Sequence, residues 1–228
     1  MIKKVVVLTG AGISAESGIR TFRDSAGLWE GHDVMEVASP QGFSKNPELV
    51  LNFYNQRRKK LLMVSPNIAH LNLVTLEKSF DVKIITQNVD DLHERAGSSE
   101  VTHLHGELLK VRSSIDENVV LNWNKDLVVS DLCPKGSQLR PHIVWFGESV
   151  PMLEKAIDIT QEADVLVVIG TSLQVYPAAS LIDFINPNTP IYFIDPQPAI
   201  LERNFSNLTI IKEVASVGTN KLLSLLVD

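Results

Sequence analysis

The sequence has one cysteine in 228 residues and no excess of positive charge. A single cysteine excludes an intramolecular disulfide framework and is typical of a reducing compartment. The net charge of −6 leaves no overall basic surface that would favour nucleic acid or anionic lipid as the main partner. We therefore expect neither nucleic acid nor a membrane among the partners of this protein.

Long apolar runs are also missing. No stretch reaches the roughly 18 apolar residues that a membrane span requires, and the N-terminus enters an apolar run without a signal-peptide pattern. We expect a cytoplasmic protein. Because 44% of its residues are hydrophobic, a chain of this length can bury a substantial core.

Short apolar runs rich in β-branched residues alternate with stretches of helical periodicity. The strand-like runs cover 5–8, 83–86, 101–104, 143–146, 165–169, 191–194 and 208–211. The helical stretches cover 47–63, 67–79, 152–162 and 178–185. This alternation predicts an α/β fold built on a parallel sheet.

Two stretches interrupt the alternation, at about 24–65 and about 107–141. The second is polar and has no strong period. We expect one domain over 1–228, in which these two insertions form a small module. The large part then comprises about 1–23, 66–106 and 142–228, and a cleft between the two parts is the expected ligand site.

A glycine motif follows the first strand-like run. Gly10, Gly12 and Ala15 form Gly-x-Gly-x-x-Ala, in which the absence of side chains lets backbone N–H groups approach a pyrophosphate. A plain turn between a strand and a helix can carry the same pattern. In addition, no acidic residue closes a second strand about twenty positions later, as the ordinary dinucleotide-binding fingerprint expects.

Three further polar clusters follow strand-like runs, at the edge where a parallel sheet carries its ligand-facing loops. They are Gln87-Asn88-Val89-Asp90, His105-Gly106 and Gly170-Thr171-Ser172. The amides and the carboxylate of the first cluster are suited to a carboxamide or a ribose. Asn88 or Asp90 taken singly could instead cap a helix, and Gly170 could simply end a strand. For all the clusters together, a ligand site is the better interpretation.

Four histidines need separate interpretations. His105 is a candidate general base, since an imidazole with a pKa near neutrality can accept a proton from a sugar hydroxyl. His70 lies within a helical apolar pattern and is better explained as a structural residue. His93 and His103 are ambiguous. His103 alternates in phase with His105 on one predicted strand, but no acidic or cysteine partner at ligand spacing supports metal binding by that pair.

Cys133 is the remaining metal candidate. Cys-Pro-Lys-Gly at 133–136 would resemble a zinc knuckle if a second cysteine replaced Gly136. Ser113 and Asp116 cannot substitute for two thiolates in a stable zinc–sulfur site. We therefore expect no zinc or other metal, and a small module that is held by packing and hydrogen bonds.

Five motifs together resemble the sirtuin family of NAD-dependent protein deacylases, in family order over essentially the whole chain. They are Gly-Ala-Gly-Ile-Ser at 10–14 with Gly-Ile-Arg-Thr-Phe-Arg at 18–23, Thr-Gln-Asn-Val-Asp at 86–90, Leu-His-Gly at 104–106, Val-Trp-Phe-Gly-Glu at 144–148 and Gly-Thr-Ser-Leu at 170–173. The resemblance implies a Rossmann-like large part and a small module formed by the two insertions. It also implies that NAD and an acyl-lysine peptide or protein meet in the cleft between them.

The resemblance assigns roles to individual residues, with His105 as general base and Asn88 beside the bond that breaks. The implied NAD contacts are Gly10, Ala11, Gly12, Ala15, Thr21, Phe22, Arg23, Trp29, Gln87, Asn88, Asp90, His105, Gly170, Thr171, Ser172, Asp195 and Ala215. Phe22 and Arg23 would lie on a loop over the nicotinamide ribose. Asp195 stands where many relatives have asparagine, and the paired cysteines of the usual structural zinc are reduced to Cys133.

The family reaction consumes NAD, because the acyl oxygen attacks the ribose as nicotinamide leaves and the products include O-acyl-ADP-ribose. The peptide would bind as an added strand between the segments 144–147 and 170–175. The implied substrate contacts are Ala38, Tyr54, Arg57, Val144, Phe146, Gly147 and Val175. The sequence leaves the oligomeric state open.

The acyl preference depends on Tyr54 and Arg57, which lie three residues apart and so share one face of the predicted helix. A phenol and a guanidinium together suit a carboxylate. Sirtuins that act on malonyl- and succinyl-lysine carry this Tyr-x-x-Arg with a small residue upstream, matched by Ala38. In isolation, such a pair is more often a packed tyrosine and a solvated arginine.

We therefore expect removal of succinyl and malonyl groups, and more weakly of acetyl groups, from protein lysines. The alternatives are a protein ADP-ribosyltransferase that uses the same NAD cleavage and a non-catalytic module that binds NAD or ADP-ribose.

Overall fold

The computed structural model describes residues 2–20, 28–29, 31–198 and 205–227. Thr21, Phe22 and Arg23, three of the expected NAD contacts, lie outside these residues. For Trp29, only the backbone is described.

A six-stranded parallel sheet lies at the centre of the described chain. Its strands in spatial order are β11 (Leu208–Ile211), β10 (Ile191–Ile194), β9 (Val165–Ile169), β1 (Lys4–Thr9), β4 (Asp81–Thr86) and β5 (Val101–His103). Neighbouring strands pair in parallel throughout. β1 and β9 are almost wholly buried, which explains why both are unbroken apolar runs rather than alternating ones. The predicted α/β fold is confirmed.

Helices cover the sheet on both faces. The α-helices are α1 (Val34–Val37), α2 (Pro40–Lys45), α3 (Pro47–Met63), α4 (Ile68–Leu76), α5 (Leu92–Ala96), α6 (Leu153–Gln161) and α7 (Ala215–Val227), with 3-10 helices at Ala11–Ser17 and Ala178–Phe184. Within the described ranges, no helix combines the length and the hydrophobicity that crossing a membrane requires.

The core has two layers because the side chains of β1 alternate between the faces of the sheet. Val6 and Leu8 pack with residues of α6 and of the 3-10 helix at Ala178–Phe184. Val5 and Val7 pack with residues of α4 and α7 on the opposite face. The sheet is thereby fixed from both sides, with its carboxyl edge available for a site.

The starts of α3 and α4 follow directly from the sequence. Asn46 accepts a hydrogen bond from the backbone N–H of Leu49, and Pro47 occupies the first turn, where its missing N–H costs nothing. Asn67 caps α4, and His70 Nδ1 accepts from the backbone N–H of Asn67 at 3.3 Å. His70 is fully buried, so the prediction that it is structural is confirmed.

A second, antiparallel sheet has the order β7 (Val120–Asn122), β6 (Gly106–Ser113) and β8 (Leu139–Ile143). It forms within the polar stretch that showed no strong period. The chain enters this sheet at Gly106, which has a φ of +82° and where an added Cβ atom would overlap the carbonyl oxygen of His142, so both features require glycine. A two-stranded pair, β2 (Leu28–Trp29) and β3 (His32–Asp33), completes the strands of the described ranges.

The prediction of a strand at 143–146 within the parallel sheet is wrong. β8 ends at Ile143, and the following N–H groups bind single partners rather than a ladder. The N–H of Val144 donates to His105 O and that of Phe146 to Ala38 O, each at 2.9 Å. The apolar run therefore connects the small sheet with α1 and with the loop after β5. The boundaries assigned to the large part and the small module stay a prediction.

Hydrogen bonds close the loop that carries Cys133. Ser113 Oγ accepts from the backbone N–H groups of Ile115 and Asp116 at 3.2 Å and lies 2.8 Å from Ser137 Oγ. Ser137 Oγ in turn lies 3.1 Å from Cys133 Sγ. Over the described residues, no three His, Cys, Asp or Glu side chains are grouped so that they could hold a metal ion.

Replacement of Ser113 by alanine should destabilise the protein by about 1–3 kcal/mol, because its 3% exposed hydroxyl joins two backbone donors to a second hydroxyl. Urea unfolding measures this loss. The control Ser79→Ala changes an exposed serine and should stay within about 0.5 kcal/mol of wild type. Equal, small effects of both substitutions would contradict the role assigned to Ser113.

Candidate active site

A cavity of about 630 Å³ lies at the carboxyl edge of the parallel sheet. Its wall combines residues that follow β1, β4, β9 and β10 with residues of α3, β6 and β8. This edge is where open α/β sheets bind their ligands. Every predicted cofactor contact whose side chain the structure describes lines this cavity: Gly10, Ala11, Gly12, Ala15, Gln87, Asn88, Asp90, His105, Gly170, Thr171, Ser172, Asp195 and Ala215.

The predicted substrate contacts line the same cavity. They are Ala38, Tyr54, Arg57, Val144, Phe146, Gly147 and Val175. The sequence placed these residues in separate segments, and the fold brings them together. The wall also includes Trp145 and Glu148, which the sequence analysis placed only within the 144–148 motif and not among the individual substrate contacts.

The loops after β1 and β9 meet through their backbones. The N–H of Gly12 donates to Gly170 O at 2.8 Å, and a Cβ atom on Gly12 would lie 2.5 Å from Gly170 Cα. Gly170 itself has a φ of +62°. Glycine is therefore required at both positions. A seven-residue 3-10 helix, Ala11–Ser17, follows Gly10.

Asn88 is fixed through its backbone and its side chain. Its N–H donates to Thr86 Oγ1 at 3.0 Å, and His103 Nδ1 lies 3.0 Å from its carbonyl oxygen. Its side-chain Nδ2 donates to Gly10 O at 3.1 Å and to Ser14 Oγ at 3.2 Å. These bonds hold the amide in one orientation at the cavity wall.

Asp90 both lines the cavity and supports a helix start. Its Oδ2 accepts from Ser14 Oγ at 3.0 Å, and its Oδ1 accepts from the N–H of Leu92, the first residue of α5, at 3.2 Å. Burial raises the pKa of this carboxyl, although both hydrogen bonds favour its charged form. Sequence analysis did not single out Ser14, whose signal was its place in the glycine motif.

His93 and His70 form a buried polar layer beneath these loops. His93 Nε2 lies 3.0 Å from Thr9 Oγ1, which donates to Thr86 Oγ1 at 2.8 Å. The two imidazole rings meet edge to face with centroids 4.9 Å apart. Burial lowers both pKa values, that of His70 to about 4, so both rings are neutral at pH 7. Their role here is structural.

His103 and His105 do not share a strand, contrary to the expectation, because β5 ends at His103. His103 Nε2 lies 2.7 Å from Glu94 Oε1, and its Nδ1 bonds the carbonyl of Asn88. Burial opposes protonation of His103, but the hydrogen bond and the charge of Glu94 outweigh it and raise the pKa. When the ring is protonated, it donates to both partners.

His105 presents a neutral imidazole to the cavity. Its Nδ1 lies 3.0 Å from Gln87 O, and since a carbonyl oxygen only accepts, Nδ1 carries the proton. Nε2 is then the basic nitrogen. Burial lowers the pKa of His105 despite the opposing effect of the Gln87 bond, so the ring is available as a base at neutral pH.

An aromatic cluster forms the part of the wall contributed by α3. Tyr54 is fully buried, and its hydroxyl oxygen accepts from Trp145 Nε1 at 2.9 Å. Burial raises the pKa of Tyr54, which keeps the phenol protonated. The half-buried guanidinium of Arg57 lies over the Phe53 ring, 4.6 Å from its centroid. Ala38, which is 3% exposed, adds a small side chain to the same wall.

Glu148 anchors the 144–148 segment. Its carboxylate accepts from the backbone N–H of Trp145 at 2.8 Å, from Arg140 at 2.6 and 3.0 Å and from Arg112 at 3.1 Å. Burial opposes the charge of Glu148, but these donors outweigh it and lower the pKa. The Arg140 guanidinium also lies 3.4 Å from the centroid of the Trp145 ring.

Known proteins resemble this chain along most of its length. The sequence profile described as the Sir2 family matches residues 10–177. An "NAD-dependent protein deacylase" of Helicobacter pylori strain 26695 is 63% identical over 196 residues, which are 86% of each chain. A protein of the same name from Helicobacter pylori strain J99 is 57% identical over 227 residues, covering 100% of this chain and 97% of the relative.

Two solved structures share the fold. A structure titled as a Sir2 homolog–NAD complex has a TM-score of 0.87 and 40% identity, covering 98% of this chain and 89% of the other. A structure titled "Sir2 bound to acetylated peptide" has a TM-score of 0.79 and 28% identity, covering 98% and 93% of the two chains.

The Glu94–His103 pair makes stability depend on pH. Because the folded-state pKa of His103 is raised, its contribution is complete below the unfolded value of about 6.5 and is lost as the pH rises through the folded value. The pKa of Glu94 is lowered, so its own contribution is present above about 4.5 and is lost as the pH falls through its folded value. Glu94→Gln should therefore lower the free energy of unfolding near pH 6, by at most about 1 kcal/mol because Glu94 is 41% exposed.

The difference between this variant and wild type should shrink by pH 9, as measured by urea unfolding at both pH values. Glu100→Gln is the matched control, since it removes an exposed carboxylate that pairs with Lys83 rather than with a histidine. A Glu94→Gln effect of the same size at both pH values would contradict the protonated state assigned to His103.

Proposed function

The chain belongs to the Sir2 family, and from that premise we propose that it removes succinyl and malonyl groups, and more weakly acetyl groups, from protein lysines. NAD-dependent protein deacylation is the activity of this protein, and its substrates are acyl-lysine peptides or proteins. The acyl preference is the finer step. It is supported by the shared position of Tyr54 and Arg57 on one cavity wall.

The cavity fits NAD. Gly10, Ala11 and Gly12 after β1 and Gly170 after β9 line the cavity together with the fixed side-chain amide of Asn88. We assign Gly10, Ala11 and Gly12 to the pyrophosphate and Asn88 with Asp90 to the nicotinamide carboxamide. The expected contacts of the adenosine half are Gly170, Thr171, Ser172, Asp195 and Ala215.

When bound, NAD supplies the ribose carbon that receives the acyl oxygen as nicotinamide departs. The protein's own contribution begins with orientation, because the hydrogen bonds of Asn88 to Gly10 and Ser14 hold its amide before any ligand arrives. His105 Nδ1 carries a proton and donates it to the Gln87 carbonyl oxygen, so Nε2 is the nitrogen that accepts the proton of a ribose hydroxyl.

Carboxylate recognition follows from the chemistry of the α3 wall. A carboxylate that leaves water needs charged or polar donors in place of its hydration shell. Tyr54 offers a phenol that stays protonated, and Arg57 offers a guanidinium held against Phe53. The small side chain of Ala38 leaves room for an acyl chain longer than acetyl.

The peptide binds along 144–147 with Val175 on the facing segment. Because the N–H groups of Val144, Trp145 and Phe146 already have intramolecular partners, a peptide strand would donate to the carbonyl oxygens of this segment. The Phe146 side chain is 41% exposed and offers an apolar surface beside it. Main-chain contacts of this kind give affinity with little dependence on the peptide sequence.

The activity is tested by incubating the protein with NAD and either succinyl-lysine or acetyl-lysine peptides. We expect nicotinamide and O-acyl-ADP-ribose from both, with faster turnover of the succinyl peptide, and loss of turnover in His105→Tyr. Label transferred from NAD to protein would instead indicate ADP-ribosyl transfer. The absence of nicotinamide release with either peptide would refute the proposed reaction.

Arg57→Met should lower kcat/KM for the succinyl peptide about 10- to 100-fold, which corresponds to the loss of about 1.5–3 kcal/mol from a charged hydrogen bond. Turnover of the acetyl peptide should change less than about twofold, since acetyl has no carboxylate. Lys59→Met is the matched control, because it removes an exposed cation of the same helix that pairs with Asp126. Equal losses on both peptides would show that Arg57 does not bind the acyl carboxylate.

A further inference from the structure

We propose that Trp145 is a positioning residue for acyl recognition, because its indole N–H sets the direction in which the Tyr54 hydroxyl donates. The inference rests on the proposed function of Tyr54 and Arg57 as the groups that bind an acyl carboxylate. Trp145 is not part of the Tyr-x-x-Arg pattern and lies 91 residues from Tyr54 along the chain.

The direction follows from the donors and acceptors involved. An indole Nε1–H can only donate, so in the 2.9 Å bond the Tyr54 oxygen must accept. That bond occupies a lone pair of the oxygen and turns the hydroxyl proton away from Trp145. If the indole donor were removed, the hydroxyl could rotate and present a lone pair to a carboxylate, which is repulsive.

The indole itself is immobilised from several sides. It is 2% exposed, with the Arg140 guanidinium over one face at 3.4 Å and the Phe43 ring 5.3 Å away. Its backbone N–H is bound by Glu148, which Arg112 and Arg140 hold in turn. The donor therefore cannot follow a rotating hydroxyl, and the hydroxyl must align with the donor.

Tyr54 and Arg57 both contact the ring of Phe53. The Tyr54 ring packs at right angles to the Phe53 ring, with centroids 5.2 Å apart. The Arg57 guanidinium lies over the same Phe53 ring. The distance between hydroxyl and guanidinium is thereby set before a ligand binds. Fixing the rotation of the hydroxyl completes a preorganised pair of donors for one carboxylate.

This arrangement distinguishes acyl groups. A succinyl or malonyl group ends in a carboxylate that requires the donated proton, whereas acetyl ends in a methyl group. Loss of the indole N–H should therefore affect the first class and spare the second. A purely structural role of Trp145 would affect both classes together.

Trp145→Phe is the direct test, since it removes the N–H and keeps an aromatic ring. We expect kcat/KM for a succinyl-lysine peptide to fall about tenfold, mainly through a higher KM, as one oriented hydrogen bond is lost. The acetyl-lysine peptide should stay within about twofold. Trp123→Phe is the matched control, because that indole donates to Asp126 O at an exposed site and should leave both peptides unchanged.

A double-variant cycle tests whether Trp145 acts through Tyr54. Adding Trp145→Phe to Tyr54→Phe should cause no further loss of succinyl turnover, because the hydroxyl to be oriented is already gone. Additive losses, or equal losses on both peptides, would overturn the inference. Should Trp145→Phe fail to fold, site-specific incorporation of the benzothiophene analogue of tryptophan keeps the ring shape and deletes only the N–H, with the same expected outcomes.

Two experimental results distinguish the role of Trp145 from the proposed acyl preference. A wild-type protein with no succinyl preference over acetyl overturns the proposed acyl preference and the inference with it. A wild-type preference for succinyl that survives the loss of the indole N–H overturns the inference alone.

Discussion

The contact between Gly12 and Gly170 is the constraint on which the cavity depends. Two loops from neighbouring strands can touch at this point only if neither carries a side chain, and their backbone hydrogen bond then fixes one loop against the other. Residues of the loop after β4 attach to both, since Asn88 donates to Gly10 O and Gln87 Nε2 donates to Thr171 Oγ1 at 3.0 Å. The loops after β1, β4 and β9 are thus joined to one another by hydrogen bonds at the base of the cavity.

Beneath these three loops, polar side chains are buried at a depth where a parallel sheet usually has only apolar ones. Thr9, Thr86 and His93 form a hydrogen-bonded chain that ends at the N–H of Asn88. Buried polar groups are costly unless they are paired, so this chain restricts the loop to the arrangement that satisfies it. His103 and Glu94 hold the other side of the same residue. The position of one amide is therefore set by contacts from β1, β4, β5 and α5.

The sequence was sufficient for features that arise from local pattern. The unbroken apolar runs of β1 and β9 indicated a doubly covered sheet, and Asn46 with Pro47 marked the start of α3. It was misleading at 143–146, because a β-branched run signals extended backbone but not whether its N–H groups enter a ladder. It could not reveal the bonds of Trp145 to Tyr54 or of Glu148 to Arg112, whose partners lie 91 and 36 residues apart. Pairs of that separation depend on how the small sheet is placed against α3.

Gly106 lies where the chain passes from the parallel sheet to the antiparallel sheet. Most residues proposed to bind the cofactor lie in the segments that follow strands of the parallel sheet, whereas Tyr54 and Arg57 lie on α3 and Trp145 lies directly after β8. His105 lies between β5 of the parallel sheet and β6 of the antiparallel sheet. Under the roles proposed for Tyr54 and Arg57, substitutions on α3 would change the acyl preference without disturbing the backbone that would hold the pyrophosphate. In evolutionary terms, the proposed arrangement would let acyl specificity change while the chemistry of NAD cleavage is retained.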